Sequence, residues 1–538
     1  MPMRARNWLI PAAWVAAVAA LLLLVFPLGF PNYDTIYALV WGRELAHGVS
    51  PDYAAALPPT PHPLADLLGV VTTPLGGGAI GVTMVIAYLS LGLVGYLVYR
   101  LGSLWFDRPI GALAAIFVLT RAPYLSNGLR AYVDLPYIAL VLGALLIETR
   151  RSRAGWPVLA LLIPAGLLRP EAWLFSFAYL AYLLLDFSQL RGDRRISLRS
   201  CAGPRRDGEG DAADGDAGMP LERADTQKRG LIRPRFVRAR GIPASPTLLV
   251  LLTLAAPVLW ALFDWITAGS PTYSFTGTQE TVETLARKTG PVDLVLYGPR
   301  ALGEVMQWPG MVGALGGVVI AAAILSSRRR SQLFTAYSPH NLAIGIAAGV
   351  LALGAFALLG GAGLAIIARY TMLAGAVLAI FVALALLGWR LLDRGHPWRR
   401  PWQAFAALVA LMFVIWIPNQ YDLLSQVDTD LTNQGQIESD LGDLAESDAF
   451  EPLCLPISVP NHRAVPRLAF DLEVRPSRIV SSSEQRQPRR GYFLKPASPF
   501  VIHNFILDPN DPSRFISNVP PGFRRVAANR SWLLYRHC

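Results

Sequence analysis

Six short stretches place ionisable or hydroxyl-bearing side chains at the edges of long apolar runs, where contact with lipid would be costly. NYDTIYALVWGRELAHG carries Asp34, and PTPHPL carries His62 in a proline-rich turn. RAPYLSNGLRAYVDLPY carries Arg130 and Asp134, and GLLRPEAWL carries Arg169 and Glu171 with almost no loop between two apolar runs. GLAIIARYTML carries Arg369 and Tyr370, and GSPTYSFTGTQE supplies hydroxyls with Gln279 and Glu280. A carboxylate can take a proton from an attacking hydroxyl while it is ionised. An arginine fork suits a phosphate. Hydroxyl and amide side chains suit the hydroxyls of a sugar.

Each group also has a plainer reading. Asp34 can cap a helix expected over 35–47, which would lie along the membrane surface and end at Gly48. Asp134 can cap the helix that follows it, although Arg130 nearby offers a pair that could bind a sugar or phosphate. Arg169 and Glu171 can pair with each other, and Arg369 can snorkel to water. His62 and Asp52 fit turns, while Arg43 and Glu44 fit the polar face of the surface helix.

The elements that must hold these groups are transmembrane helices. The chain has 538 residues, 53% hydrophobic and 16% charged, with a mean hydropathy of +0.39, too apolar for a soluble protein of this size. Apolar segments lie at 8–30, 76–99, 109–121, 134–148, 155–168, 172–187, 246–268, 309–327, 341–362, 371–390 and 402–417. The expectation is an α-helical polytopic membrane protein with about eleven spans, several of them short enough to need burial in a bundle.

With the N-terminus cytoplasmic, Arg100, Arg108, Arg150, Arg151, Arg153, Arg328 to Arg330 and Arg390 to Arg400 all fall inside. The net charge of +11 then orients the chain in a plasma membrane and is no sign of nucleic acid. Residues 188–245 read as a disordered cytoplasmic linker. The expected division is a membrane core over 1–417 and a small exterior α/β domain over 418–538. Cys454 and Cys538 share the exterior compartment in this topology, which leaves a disulfide between them open; the three cysteines show no metal-ligand spacing.

The order and sidedness of NYDTIYALVWGRELAHG, AYVDLP and LLRPEAW within 8–187, with GSPTYSFTGTQE and ARY farther on, resemble the GT-C superfamily of membrane glycosyltransferases. That superfamily includes protein O-mannosyltransferases and lipid A aminoarabinose transferases. The resemblance implies a polyprenyl-phosphate sugar donor, a glycan, lipid or protein acceptor, and membrane lipids as surroundings. It implies Asp34 as catalytic base, Asp134 as a second acidic position, and Arg169 and Arg369 with Tyr370 at the donor phosphate. Arg130, Glu171, His62, Gln279 and Glu280 are then candidates for substrate binding. The chain departs from the pattern at Thr35, where an adjacent second acidic residue is usual. Neither metal dependence nor close kinship with the O-mannosyltransferases therefore carries over; no cofactor is called for, and a divalent metal stays open.

The expected reaction is a direct displacement with inversion, transferring a hexosyl or pentosyl group. The alternative is a transporter of a polyprenyl-linked sugar or lipid, which would spread charges through the bilayer depth. The singled-out residues instead gather at one side.

Overall fold

The computed structural model describes residues 3–26, 29–55, 57–197, 245–326, 339–481, 489–505 and 518–538. Every apolar segment expected to span coincides with a helix. α1 (Met3–Val25) is followed by two shorter helices, α2 (Tyr33–Ala46) and α3 (Pro63–Thr72). Then come α4 (Gly78–Trp105), α5 (Arg108–Leu119), α6 (Ala122–Leu129), α7 (Asp134–Arg150), α8 (Trp156–Leu168) and α9 (Glu171–Ser197). α10 (Pro246–Ala268), α11 (Tyr273–Thr284), α12 (Gly290–Ser326), α13 (Pro339–Gly361), α14 (Met372–Leu387) and α15 (Arg399–Ile415) complete the apolar part.

Local signals set these boundaries. Asp107 caps α5 by accepting from the backbone N–H of Ile110 at 2.8 Å, with Pro109 in the first turn. Ser245 caps α10, and Gly269 ends it in the left-handed region at φ 75°. α9 runs to Ser197 and so takes in the start of the expected linker; residues 198–244 lie outside the described residues.

Among the described residues, five helices are long and apolar enough to cross a membrane, or seven if the bent pairs α5–α6 and α15 with the helix after it each count once. The expected count of eleven exceeds what length and composition alone support. α5 and α8 are too short to span unaided, and both bury one face in the bundle. α14 lies at the centre, with the stretch Met372–Ala385 buried throughout, whereas α10 keeps most of its surface outward.

After α15 the chain bends by 47° into α16 (Ile417–Glu446). A five-stranded sheet follows, built from β1 (Ile457–Val459), β2 (Ile479–Ser481), β3 (Gly491–Pro496), β4 (Arg524–Ala528) and β5 (Trp532–His537), in the order β2-β1-β3-β5-β4. β1 pairs in parallel with β2 and β3, and β5 pairs antiparallel with β3 and β4. α17 (Ala464–Asp471) makes the crossover from β1 to β2, and α18 (Pro499–Phe505) follows β3. A disulfide joins Cys454 to Cys538 beside the sheet.

The molecule has two large apolar cores. One fills the helix bundle. The other lies under the sheet and draws in Ile36, Tyr37, Val40 and Trp41 from α2. The expected membrane-surface helix is thus a buried one, packed between α3 and α17. Its amphipathic pattern required two apolar partners, and lipid is neither of them. Arg43, expected on a polar face, donates to the carbonyls of Phe470 and Ala469 in α17, each at 2.8 Å. Glu44 is buried and accepts from the backbone N–H of Asp52 at 2.7 Å. Asp52 is the turn residue expected, and its second oxygen accepts from Ser477 N at 2.8 Å, tying the loop to the sheet region.

Candidate functional site

Asp34 is not the cap of its helix. Asn32 takes that place and accepts from the backbone N–H groups of Asp34 and Thr35 at 2.8 and 3.2 Å. The capping oxygen coming from Asn32 leaves the Asp34 carboxylate for other work. Asn32 also donates through its backbone N–H and its Nδ2 to the carbonyl of Arg130, both at 2.8 Å. Thr35 Oγ1 donates to the carbonyl of Ala131 at 2.7 Å. The residues flanking Asp34 are therefore pinned to the turn between α6 and α7. α2 is set from the other side by its crossing with α3, where a Cβ on Gly69 would come 2.3 Å from the carbonyl oxygen of Ala38, so only glycine fits.

Held in this way, Asp34 Oδ2 meets Arg369 Nη1 at 3.2 Å. Arg369 lies in the short turn of helix Ala368–Thr371 that leads into α14. Its guanidinium stands over the rings of Tyr132 and Tyr370, each at 5.3 Å. The other side of the cluster is centred on Arg169, between α8 and α9. Arg169 donates to Asp134 Oδ1 at 2.6 Å and to Glu171 Oε1 at 2.7 Å, and it stands 4.4 Å from the centre of the Tyr370 ring. Tyr370 thus touches both guanidiniums. Four segments far apart in sequence converge on one charged cluster.

The two arginines differ in access. The side chains of Arg169 and Asp134 are 7% and 3% exposed, and both of the carboxylates beside Arg169 are buried. Arg369 and Asp34 keep 24% and 19% of their side-chain surface open. The Arg169 trio is a sealed unit of two carboxyl groups on one guanidinium, whereas the Asp34–Arg369 pair is open to a ligand. Asp134 opens α7, and the far end of that helix lies with the far end of α4, where Trp105 Nε1 donates to Thr149 Oγ1 at 3.1 Å. The charged cluster therefore occupies the end of the bundle opposite the turns that bear Arg108, Arg150 and Arg151.

His62 lies beside the cluster, its ring 5.9 Å from that of Trp260 and its Nδ1 buried without a hydrogen-bond partner. Burial, with help from the positive charge of Arg169, pushes its pKa down to about 4, so at neutral pH the ring is uncharged.

Three expected members fall elsewhere. Arg130 does not pair with Asp134: it donates to Gln434 Oε1 at 3.0 Å and to Ser126, and its ring contact is with Phe30. Ala131, at φ 53°, turns the chain between Arg130 and α7, so the two side chains serve different partners. Gln279 donates to the carbonyl of Ala362 at 3.0 Å, and Glu280 is exposed on α11. Among the described residues neither contacts the cluster, and no group of three or more His, Cys, Asp or Glu is placed to hold a metal ion.

Sequence reading missed three participants. Tyr132 and Tyr137 flank Asp134 in YVDLPY and stand under Arg369 and Arg169, the second at 6.0 Å. Their spacing around an acidic residue was the available signal. His462, at the approach to α17, packs its ring 5.3 Å from that of Tyr33, next to Asp34. Nothing local in the sequence pointed to it.

The fold and the cluster define an α-helical polytopic membrane protein with a C-terminal sheet, whose buried charges meet at one end of the bundle. It is similar to ArnT from Cupriavidus metallidurans bound to undecaprenyl phosphate, at 13% identity and a TM-score of 0.48, over 99% of this chain and 98% of that one. The apo state of the same protein matches at 15% identity and a TM-score of 0.47, with the same coverage. No family model matches the sequence, and no curated protein does.

Proposed function

We propose that this protein is a membrane glycosyltransferase that moves a sugar from a polyprenyl-phosphate donor to an acceptor hydroxyl. The observation that carries the reading is the open Asp34–Arg369 pair at 3.2 Å, a base and a phosphate-binding fork side by side at a bundle end. The GT-C resemblance of the sequence around these residues points the same way.

In this reading Asp34 takes the proton of the acceptor hydroxyl as its oxygen attacks the anomeric carbon. The bond from that carbon to the phosphate oxygen breaks, and the polyprenyl phosphate leaves from the opposite face with the bonding electrons. Inversion follows. Arg369 stabilises the charge growing on the phosphate, and the Tyr370 ring stands under both arginine guanidiniums. Arg169, already offset by Asp134 and Glu171, positions those carboxylates and Tyr370 and leaves the main phosphate contact to Arg369. Neutral His62 adds a buried ring nitrogen to the wall of the site.

The same reading places the N-terminus in the cytoplasm and the cluster, with the 418–538 unit, at the outer face of the plasma membrane. The arginine-bearing turns at the opposite end support that orientation, and so does the disulfide in the C-terminal unit. In this reading that unit serves the acceptor side, which the packing of His462 against Tyr33, next to Asp34, supports.

The test is turnover. Wild type and Asp34→Asn, matched for thermal unfolding, are incubated with a panel of polyprenyl-phosphate sugars and acceptors, and transfer is followed by mass spectrometry. Removing a general base should lower turnover by about 10²–10⁴-fold. Equal turnover removes Asp34 from the role, and lipid-sugar movement without bond cleavage replaces transferase by transporter.

A further inference from the structure

Arg121 is as buried as Arg169, yet among the described residues it has no carboxylate partner. It stands at the break between α5 and α6, which bend by 61° relative to each other, and so marks the end of an apolar helix. Its Nη1 donates to Gln307 Oε1 at 2.8 Å, and its guanidinium stacks 4.6 Å from the Phe117 ring. Neither contact cancels the charge, and its Nε is buried without a partner.

Gln307 marks a second break. It interrupts α12 with φ 58° and ψ 164°, a strained conformation for a residue with a side chain, and strain of this kind concentrates at functional sites. Because its Oε1 is taken by Arg121, its Nε2 is left as a donor, also buried and unpartnered. A third break, between α15 and α16, abuts the first: Gln420 Nε2 donates to the carbonyl of Thr120 at 2.8 Å, and its Oε1 has no partner. The niche therefore offers one full positive charge, two unused N–H donors and one acceptor. Outside it, Trp308, Ile415 and Ile417 are 69%, 68% and 60% exposed, an apolar and aromatic rim of the kind found where helices leave the bilayer.

We propose that Arg121 and Gln307 bind the phosphate of a membrane phospholipid whose headgroup carries a hydroxyl for Gln420. A phosphodiester supplies the missing negative charge and accepts from Arg121 Nε and Gln307 Nε2, while the acyl chains lie against the apolar rim. The site shares no residue with the Asp34 cluster and does not rest on the transferase reading.

The experiment uses the full chain, delipidated in a neutral detergent, with thermal unfolding and tryptophan fluorescence as readouts. The probes are dihexanoyl phosphatidylglycerol, dihexanoylglycerol and inorganic phosphate. Phosphatidylglycerol should stabilise wild type and Arg369→Gln alike, and Arg121→Gln should weaken its binding at least tenfold. Gln307→Glu, nearly isosteric, should pair Arg121 internally, raise the unfolding temperature without lipid and abolish the response to lipid. Undiminished binding by both niche variants overturns the proposal, as does loss of binding in Arg369→Gln alone. Equal stabilisation by inorganic phosphate overturns the lipid source, and equal stabilisation by dihexanoylglycerol overturns recognition of the phosphate.

Discussion

Arg169 and Arg121 are each 6% exposed at the ends of apolar helices, but their surroundings are opposite. Arg169 is locked between two carboxylates at 2.6 and 2.7 Å, while Arg121 faces a neutral amide. Burial does not tell the two apart; compensation does. A buried charge with partners inside the protein is held as part of the scaffold, whereas Arg121, without a carboxylate, carries the uncompensated charge on which the lipid-phosphate proposal rests. Glu438 on α16 shows a third solution. Its partly buried carboxyl, despite the nearby Arg467, has its pKa raised to about 7, so it takes up a proton as the pH falls below that value.

Substitution of both arginines by methionine tests the contrast most strongly. Arg169→Met strands Asp134 and Glu171 as buried charges and should cost about 3–5 kcal/mol, read as lost unfolding temperature in detergent. Adding Asp134→Asn and Glu171→Gln should recover most of that loss. Arg121→Met strands no charge, only the buried Gln307 Oε1 acceptor, and should cost no more than about 1–3 kcal/mol. Equal losses from the two substitutions would erase the distinction.

The proton at Glu438 is checked by pH. Its folded pKa lies above the unfolded value of 4.5, so between pH 4.5 and 7 the folded state holds more protons than the unfolded one. Stability should therefore decline as pH rises through that window, by at most about 3 kcal/mol for this group. Glu438→Gln should flatten the dependence, and an unchanged profile would mean that the carboxyl is charged and paired. An effect of similar size is expected at the α2–α3 crossing. Gly69→Ala must push against the Ala38 carbonyl, cost about 1–3 kcal/mol, and lower any activity that depends on Asp34 by shifting α2.

Much of this protein was legible because hydropathy is local. Each apolar segment became a helix, and the polar residues at segment edges were conspicuous because lipid penalises them wherever the chain goes. Asp34, Asp134, Arg169, Glu171, Arg369 and Tyr370 were singled out on that ground, and they lie together in space. Partnership was not legible. Arg130 is the neighbour of Asp134 in sequence, but Arg169, 35 positions away, is its partner. The amphipathic α2 looked like a surface helix because its second apolar neighbour, α17, lies more than 400 positions later in the chain.

The sequence by itself determined a helical membrane protein, where its apolar helices lie along the chain, and the short list of charges that such a protein would not carry idly. Those follow from the free energy of placing each side chain in lipid or water, a property of the residue and its near neighbours. Only the tertiary structure decided which charges neutralise one another, that Tyr370 stands between two arginines, that Asn32 frees Asp34 from capping, and that Gln307 breaks α12 against Arg121. Electrostatic and hydrogen-bond partnership depends on distances of a few ångströms between segments hundreds of residues apart, and packing of the whole bundle sets those distances.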